Sequence, residues 1–362
     1  MKRIGIMTMQ RIKNYGSFLQ AYGLKKNFEE LGCDVEFVDY HFERSLVNDS
    51  ESVFKRIKRN VNIRSRVKRK RIQNKYDLAF EKQFIPELCK RKMNYTPKNI
   101  DALVVGSDEV FNCLQGYPVG YSRELFGMGF DYCSVYSYAA SFGQVSYKRL
   151  VEYGISDEVG SLLKRFKRIS VRDNNSFEAV LALTKKKPLL HLDPVLVTDY
   201  SSEMIDKVKL RDYIILYAYP GRLTKKEEKM IKQFAKKHNK KIVGFGMYQG
   251  ISDIELIIHP FEIFSYFKHA DFVITDTFHG SIFSIKTHTN YCTIIRDTVS
   301  GNSNKLEDLL FRLKQDDRII RDIQQLEDFY KNRPRFEDTD KIIEAEKVRS
   351  REYLKGIVNA DE

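Results

Sequence analysis

The first forty residues confine the chain to one class of architecture. Lys2 to Met7 is an apolar run, Gln10 to Ser17 a polar loop, and apolar side chains then recur at 18, 19, 22, 24 and 28 before Gly32. Asp34 to Tyr40 alternates apolar with polar residues. The spacing predicts a strand, a helix ended by a glycine cap, and a second strand. Two strands joined through a helix run parallel, so the expected fold is α/β and doubly wound.

The same rhythm returns downstream. Strands are expected at Ala102–Val105, Ser134–Ala140, Arg168–Arg172 and Leu189–Pro194, then a polar linker over about 199–211. A second series has strands at Tyr213–Tyr219, Lys241–Phe245, Phe272–Asp276 and Tyr291–Ile295. Its helices are expected near 224–238, 261–269, 280–286 and 304–314. A chain of 362 residues is too long for one ordinary core. The expectation is two Rossmann-like domains facing a cleft, over 1–200 and 201–336, followed by a charged helix and tail over 337–362.

Charge narrows the partners. Lys and Arg number 62 against 49 Asp and Glu, a net +13, which calls for an anionic partner. Much of the excess lies in 43–98, which has no convincing strand and is strongly basic from Lys55 to Lys75. Val53, Phe54, Ile57, Val61, Val67 and Ile72 recur there at near-helical intervals, so the segment is expected to be a basic helical insertion in the first domain. It reads as a solvated face packed on the domain, or as a docking segment for an anionic membrane over residues 53–75. Nucleic acid is disfavoured, because no nucleic-acid-binding signature accompanies the charge. Five scattered cysteines without metal-ligand spacing, and no apolar run of membrane-spanning length, lead to the expectation of a cytoplasmic protein with reduced thiols.

Four expected strand ends collect polar residues, and ligands of open α/β sheets bind at such ends. Asn14-Tyr15-Gly16-Ser17 lacks the glycine spacing of a dinucleotide fingerprint, so a nicotinamide cofactor is not expected. In Gly106-Ser107-Asp108-Glu109, with Asn112 one turn on, Asp108 either handles a hydroxyl proton or caps a helix. Arg172 offers a planar fork to a carboxylate or phosphate, or pairs with Asp173 or another acid. The fourth is Asp271 to Ile285, an apolar strand followed by Thr275-Asp276-Thr277-Phe278-His279-Gly280 and a helical run. His279 stands between strand end and helix start, where N–H groups and the helix dipole favour an anion. No metal site, nucleophile elbow or Walker A loop is visible.

Taken in order, these stretches resemble the polysaccharide pyruvyl transferase family. The matching residues are Asn14-Tyr15-Gly16 with Leu19-Gln20-Ala21-Tyr22, Gly106-Ser107-Asp108 with Asn112, and Tyr138-Ala139-Ala140-Ser141-Phe142-Gly143. Ser170-Val171-Arg172, Leu192-Asp193-Pro194 and Thr275 to Gly280 complete the set. The resemblance implies a two-domain fold like that of GT-B glycosyltransferases. It implies transfer of the pyruvyl group of phosphoenolpyruvate to a sugar of a polysaccharide or its lipid-linked precursor, leaving a pyruvate ketal. Phosphoenolpyruvate is then a co-substrate, and no cofactor is expected. The family's histidine falls on His279 and an arginine of its donor pocket on Arg172. One branch of the family carries arginine two residues before the histidine, where this chain has Thr277, and Phe111 stands where many relatives have Trp. Gly280, Ser281, Arg296 and Lys305 are the other donor-binding candidates. Asp108 is the candidate for the acceptor hydroxyl, with Asn14, Tyr15, Gly16 and Asn112 on the acceptor side. A lipid-linked acceptor would place the enzyme peripherally on the inner membrane face. The alternatives are a nucleotide-sugar glycosyltransferase, for which Glu255 is a candidate ribose reader, and a non-catalytic basic protein binding membrane or nucleic acid.

Overall fold

The computed structural model describes residues 1–47, 63–97, 99–116, 119–246, 248–296 and 303–360. The chain divides into two compact units. The first takes the described parts of Met1–Arg59, Ile85–Thr198 and Glu344–Glu362; the second takes those of Asn60–Phe84 and Asp199–Ile343.

The first unit follows from the opening βαβ pattern. Strands β1 (Arg3–Met7), β2 (Asp34–Phe37), β3 (Ala102–Val105) and β4 (Ser134–Ser137) form one parallel sheet in the order β2-β1-β3-β4. Parallel bridges from Tyr136 to Arg168 and from Ala140 to Val171 carry the pattern on to β5 (Ser170–Val171), which pairs with β6 (Leu189–Leu190). β3 is buried at every position, as a strand covered on both faces should be. Strand order reverses direction between β1 and β3, which makes their carboxyl ends a topological switch point, the usual ligand crevice of such sheets.

The second unit repeats the logic with six parallel strands in the order β12-β11-β10-β7-β8-β9. They are β7 (Tyr213–Tyr217), β8 (Lys241–Phe245), β9 (Ile254–Leu256), β10 (Phe272–Thr275), β11 (Tyr291–Ile294) and β12 (Ile319–Ile320). β7, β10 and β11 are fully buried. Here the switch point falls between β7 and β10.

The expected α/β class with two Rossmann-like domains is therefore the observed one, and the chain passes from the first unit to the second after Thr198. Two segments depart from the expected bounds. The basic stretch does not remain whole in the first domain, because Asn60–Phe84 groups with the second unit. The cause is an aromatic stripe on the helix Ile63–Ala79 and the turn after it. Tyr76, Phe80, Phe84 and His259 meet in succession, tilted and then edge-on, with ring centroids 4.8, 5.1 and 5.3 Å apart. Gly246 sits beneath Tyr76 so closely that a Cβ there would lie 2.1 Å from the ring. Val53, Phe54, Ile57 and Val61 lie outside the described residues.

The second departure is the charged helix, Glu337–Val358, which is no detached tail. From Glu344 it belongs to the first unit, where the Tyr353 hydroxyl donates to the Ser137 carbonyl at 2.7 Å and the Tyr138 hydroxyl to Ser350 Oγ at 2.9 Å. The five cysteines are free thiols, and among the described residues no helix is long and apolar enough to cross a membrane.

Candidate functional site

At the switch point of the first unit, the loop after β1 meets the turn after β3. Asn14 has extended backbone and caps the helix Tyr15–Glu29, accepting from Gly16 N–H at 2.7 Å. The next hydroxyl, Ser17 Oγ, donates to Asp108 Oδ2 at 3.0 Å. Gly106 makes the turn possible: its φ is +121°, and a Cβ would fall 2.3 Å from the Tyr138 carbonyl.

Asp108 is held from a second side by Arg172, whose Nη2 donates to Oδ1 at 3.1 Å while Nη1 donates to Asp193 Oδ2 at 2.9 Å. The Arg172 side chain is 1% exposed, Asp193 0% and Asp108 14%. Burial works against the Arg172 charge, but Asp108 and Asp193 outweigh it and raise its pKa. Arg172 is thus a buried clamp that positions Asp108. The expected donor role of Arg172 has to be set beside this geometry, in which its fork lies between two carboxylates. Asp173 acts on Arg172 through its charge, while its carboxylate caps the next helix by accepting from Ser176 N–H at 2.8 Å.

The remaining acceptor-side candidates divide. Asn112 donates to Glu109 Oε2 at 2.7 Å, and Gly143 leaves room for both, since a Cβ there would lie 2.5 Å from Glu109 and 2.9 Å from Asn112. Tyr15 is buried in the core at 1% exposure and Gly16 is buried within the helix start, so both serve the fold. Ser17 and Glu109 join the cluster although neither was singled out from the sequence. Their only signal was adjacency to Gly16 and Asp108.

At the switch point of the second unit, His279 is the second residue of the helix Phe278–Lys286. Thr277 caps that helix: its Oγ1 accepts from Gly280 N–H at 2.9 Å. Ser281 N–H donates to the Thr277 carbonyl at 3.2 Å, and Ser281 Oγ is buried against Thr293 Oγ1 at 2.9 Å. The amides of Gly280 and Ser281, expected to face a donor anion, donate here to the cap and the helix. Gly280 is required for another reason: a Cβ would meet Thr275 Oγ1 at 2.2 Å and Thr277 Oγ1 at 2.7 Å.

Around His279 the charges are ordered. Asp276, 2% exposed, accepts from Tyr219 N–H at 3.0 Å and from Arg296 Nη1 at 3.3 Å. Arg296 Nη2 donates to Glu227 Oε1 at 3.1 Å, so Arg296, a candidate for the donor, buckles two acids together. Burial pushes the Asp276 carboxyl above the usual range, against the pull of Arg222, the Tyr219 amide and Arg296. Lys305, 6% exposed, lies with Nζ 5.8 Å from the Phe278 ring, and that ring stands edge-on to His279 with centroids 5.5 Å apart. Of the donor candidates, the structure gathers His279 and Lys305 about Phe278. Glu255 lies apart, on edge strand β9, accepting from Gln249 N–H at 3.0 Å, and burial raises its pKa. Among the described residues, no group of His, Cys, Asp and Glu could hold a metal ion.

Each unit is thus a parallel α/β sheet with polar side chains at its switch point: Asp108, Glu109, Asn112 and Ser17 in the first, His279, Asp276 and Arg296 in the second. The model of the polysaccharide pyruvyl transferase family matches residues 14–297, most of the chain, and the chain belongs to that family of transferases. No curated protein matches. Among solved structures, the S. aureus MnaA–UDP co-structure is similar at 11% identity, with 99% of this chain and 97% of that one covered and a TM-score of 0.48. UDP-GlcNAc 2-epimerase from Neisseria meningitidis bound to UDP-GlcNAc is similar at 12% identity, with 98% and 100% covered and a TM-score of 0.47.

Proposed function

We propose that the protein transfers the pyruvyl group of phosphoenolpyruvate to two hydroxyls of a sugar in a polysaccharide or its lipid-linked precursor, forming a ketal. The observation that supports this most is His279 at a switch point, with Lys305 over the ring of the adjacent Phe278, in a chain of this family. The donor carries several negative charges and is read by the cationic second unit. The acceptor is read by Asp108, Glu109 and Asn112 in the first.

In this reading a proton is delivered to C3 of the enol as one sugar hydroxyl bonds to C2 and gives up its own proton, which balances the one delivered. The C2–O bond to phosphate breaks, a second hydroxyl bonds to C2, and its proton leaves with the phosphate. An imidazole exchanges protons near neutrality, which suits His279 to the transfer to C3 or to the leaving phosphate. Asp108, fixed by Arg172 and Ser17, accepts from the attacking hydroxyl and orients it.

The basic helix Ile63–Ala79 adds a place of action. Lys68, Arg69, Lys70, Arg71 and Lys75 are all exposed, as are Val67 at 63% and Leu78 at 49%. Basic side chains framed by exposed apolar ones suit the anionic face of a membrane carrying a lipid-linked acceptor.

The test is incubation with phosphoenolpyruvate and lipid-linked or nucleotide-linked sugars, followed by mass spectrometry. The expected product is heavier by phosphoenolpyruvate less phosphoric acid. Thermal stabilisation by UDP or GDP, with none by phosphoenolpyruvate, would turn the reading to nucleotide-sugar transfer.

A further inference from the structure

The stretch Tyr138-Ala139-Ala140 takes no part in the transfer itself, yet its backbone is out of the ordinary. Ala139 has φ +46° and Asp108 φ +73°, both in the left-handed region although neither is glycine. A residue with a Cβ is disfavoured there, and such conformations persist only where the surroundings over-determine them, a condition met most often at active sites. The two strained residues lie side by side. Asp108 is bridged in parallel to Ala140, and the Asp108 carbonyl accepts from Ser141 N–H at 2.9 Å.

We infer that Tyr138 is a positioning residue that holds Asp108 in place for the acceptor, and that Ser350 of the helix Glu337–Val358 sets Tyr138 in turn. Each strand end of the clamp closes on Tyr138 or Ala139. The Gly106 turn packs against the Tyr138 carbonyl, and Ser107 Oγ donates to the Ala139 carbonyl at 3.1 Å. Ala139 N–H donates to Ser170 Oγ at 3.0 Å, two residues before Arg172. Tyr138 is fully buried, and its hydroxyl donates to Ser350 Oγ at 2.9 Å and lies 3.4 Å from the carbonyl of Leu192, next to Asp193. Its ring stacks on His191 with centroids 5.6 Å apart, and His191 Nδ1 is 2.8 Å from Ser170 Oγ. The phenol thus ties the helix to all three stretches that carry Asp108, Arg172 and Asp193. Buried as it is, Tyr138 meets no substrate. Its effect passes through where Asp108 stands, and a displacement of ~1 Å is enough to slow a reaction about a hundredfold.

The inference rests on the acceptor role proposed for Asp108, and the experiment separates the two. Tyr138→Phe keeps the ring and loses the hydroxyl; Ser350→Ala removes the partner with less change in packing. Full-length wild type, both single variants and the double variant are compared in kcat and KM for phosphoenolpyruvate, in urea midpoint, and in amide exchange read by mass spectrometry. Each single variant should lower kcat about tenfold, with KM for phosphoenolpyruvate within about twofold of wild type. The double variant should be no slower than the worse single one, the mark of one shared contact. Amides of 106–112 should exchange faster in the variants, while those of β1 and β2 keep their wild-type protection. Unchanged kcat, or unchanged exchange at 106–112, overturns the inference. So does faster exchange spread evenly over the unit, which marks a packing role alone. If wild type transfers nothing from phosphoenolpyruvate, the proposed function falls, and exchange at 106–112 decides the inference by itself: faster in the variants supports the hold on Asp108, and unchanged overturns it.

Discussion

At residue scale, His279 and Gly280 are neighbours with opposite duties. His279 lies at the crevice, and His279→Gln should lower turnover at least ~100-fold, the low end for a general acid–base group, with the unfolding temperature unchanged. Near-wild-type transfer by a folded variant would remove it from the chemistry. Gly280 faces inward. Gly280→Ala gains at most about 1 kcal/mol of helix propensity. Its new methyl would press on Thr275, whose Oγ1 is anchored to the Tyr217 carbonyl at 2.6 Å, and such overpacking costs roughly 1–3 kcal/mol. The clash wins, so urea denaturation should show a net loss of stability. Of this small stretch the sequence showed the strand, the turn and the histidine between strand end and helix, which is half-buried. It did not show that Thr277 closes on Gly280 N–H, because Thr is equally common inside a strand and only the extended backbone at 277 makes it a cap.

At the scale of elements, the clamp between strand ends governs the first unit. Arg172→Met leaves Asp193 fully buried without its cation, a change that costs roughly 3–5 kcal/mol, read as a fall in the urea midpoint. A midpoint within error of wild type would show the clamp to be energetically idle. In the second unit, Asp276 sets a pH dependence. Burial raises its carboxyl above the unfolded value, so the folded chain keeps that proton to higher pH. Its contribution to stability is complete below the ordinary carboxylate range and is lost as pH climbs through the raised value. Asp276→Asn should flatten that part of the stability curve, and an unaltered slope would contradict the assignment. These pairings were not legible beforehand. Arg172 reaches partners 64 and 21 positions away, and nothing local distinguishes Asp193 or Asp108 from Asp173. The principal strands were legible from apolar runs of four or five residues. Ile254–Leu256 and Ile319–Ile320 were not, being too short for any period to register.

At the scale of the whole molecule, charge and chain path matter most. Replacing Lys68, Arg71 and Lys75 by Gln should weaken binding to anionic vesicles by about 1 kcal/mol per residue, seen by co-sedimentation at low salt. Equal binding of wild type to neutral and anionic vesicles would count against membrane docking. A basic helix was expected here, but its packing residues were not: Val67 of the expected apolar series is exposed, and Tyr76 instead meets Gly246 far along the chain. The path of the chain also inverts an ordinary order of events. Domains usually mature on the ribosome as they are made, the N-terminal one first. Here Ser350, Tyr353, Leu354 and Ile357 are buried parts of the first unit, so the unit translated first is completed last, after the whole of the second has emerged. A premature stop shortly before Glu344 would strike the nascent product at its beginning: the unit encoded earliest is the one left with an open core.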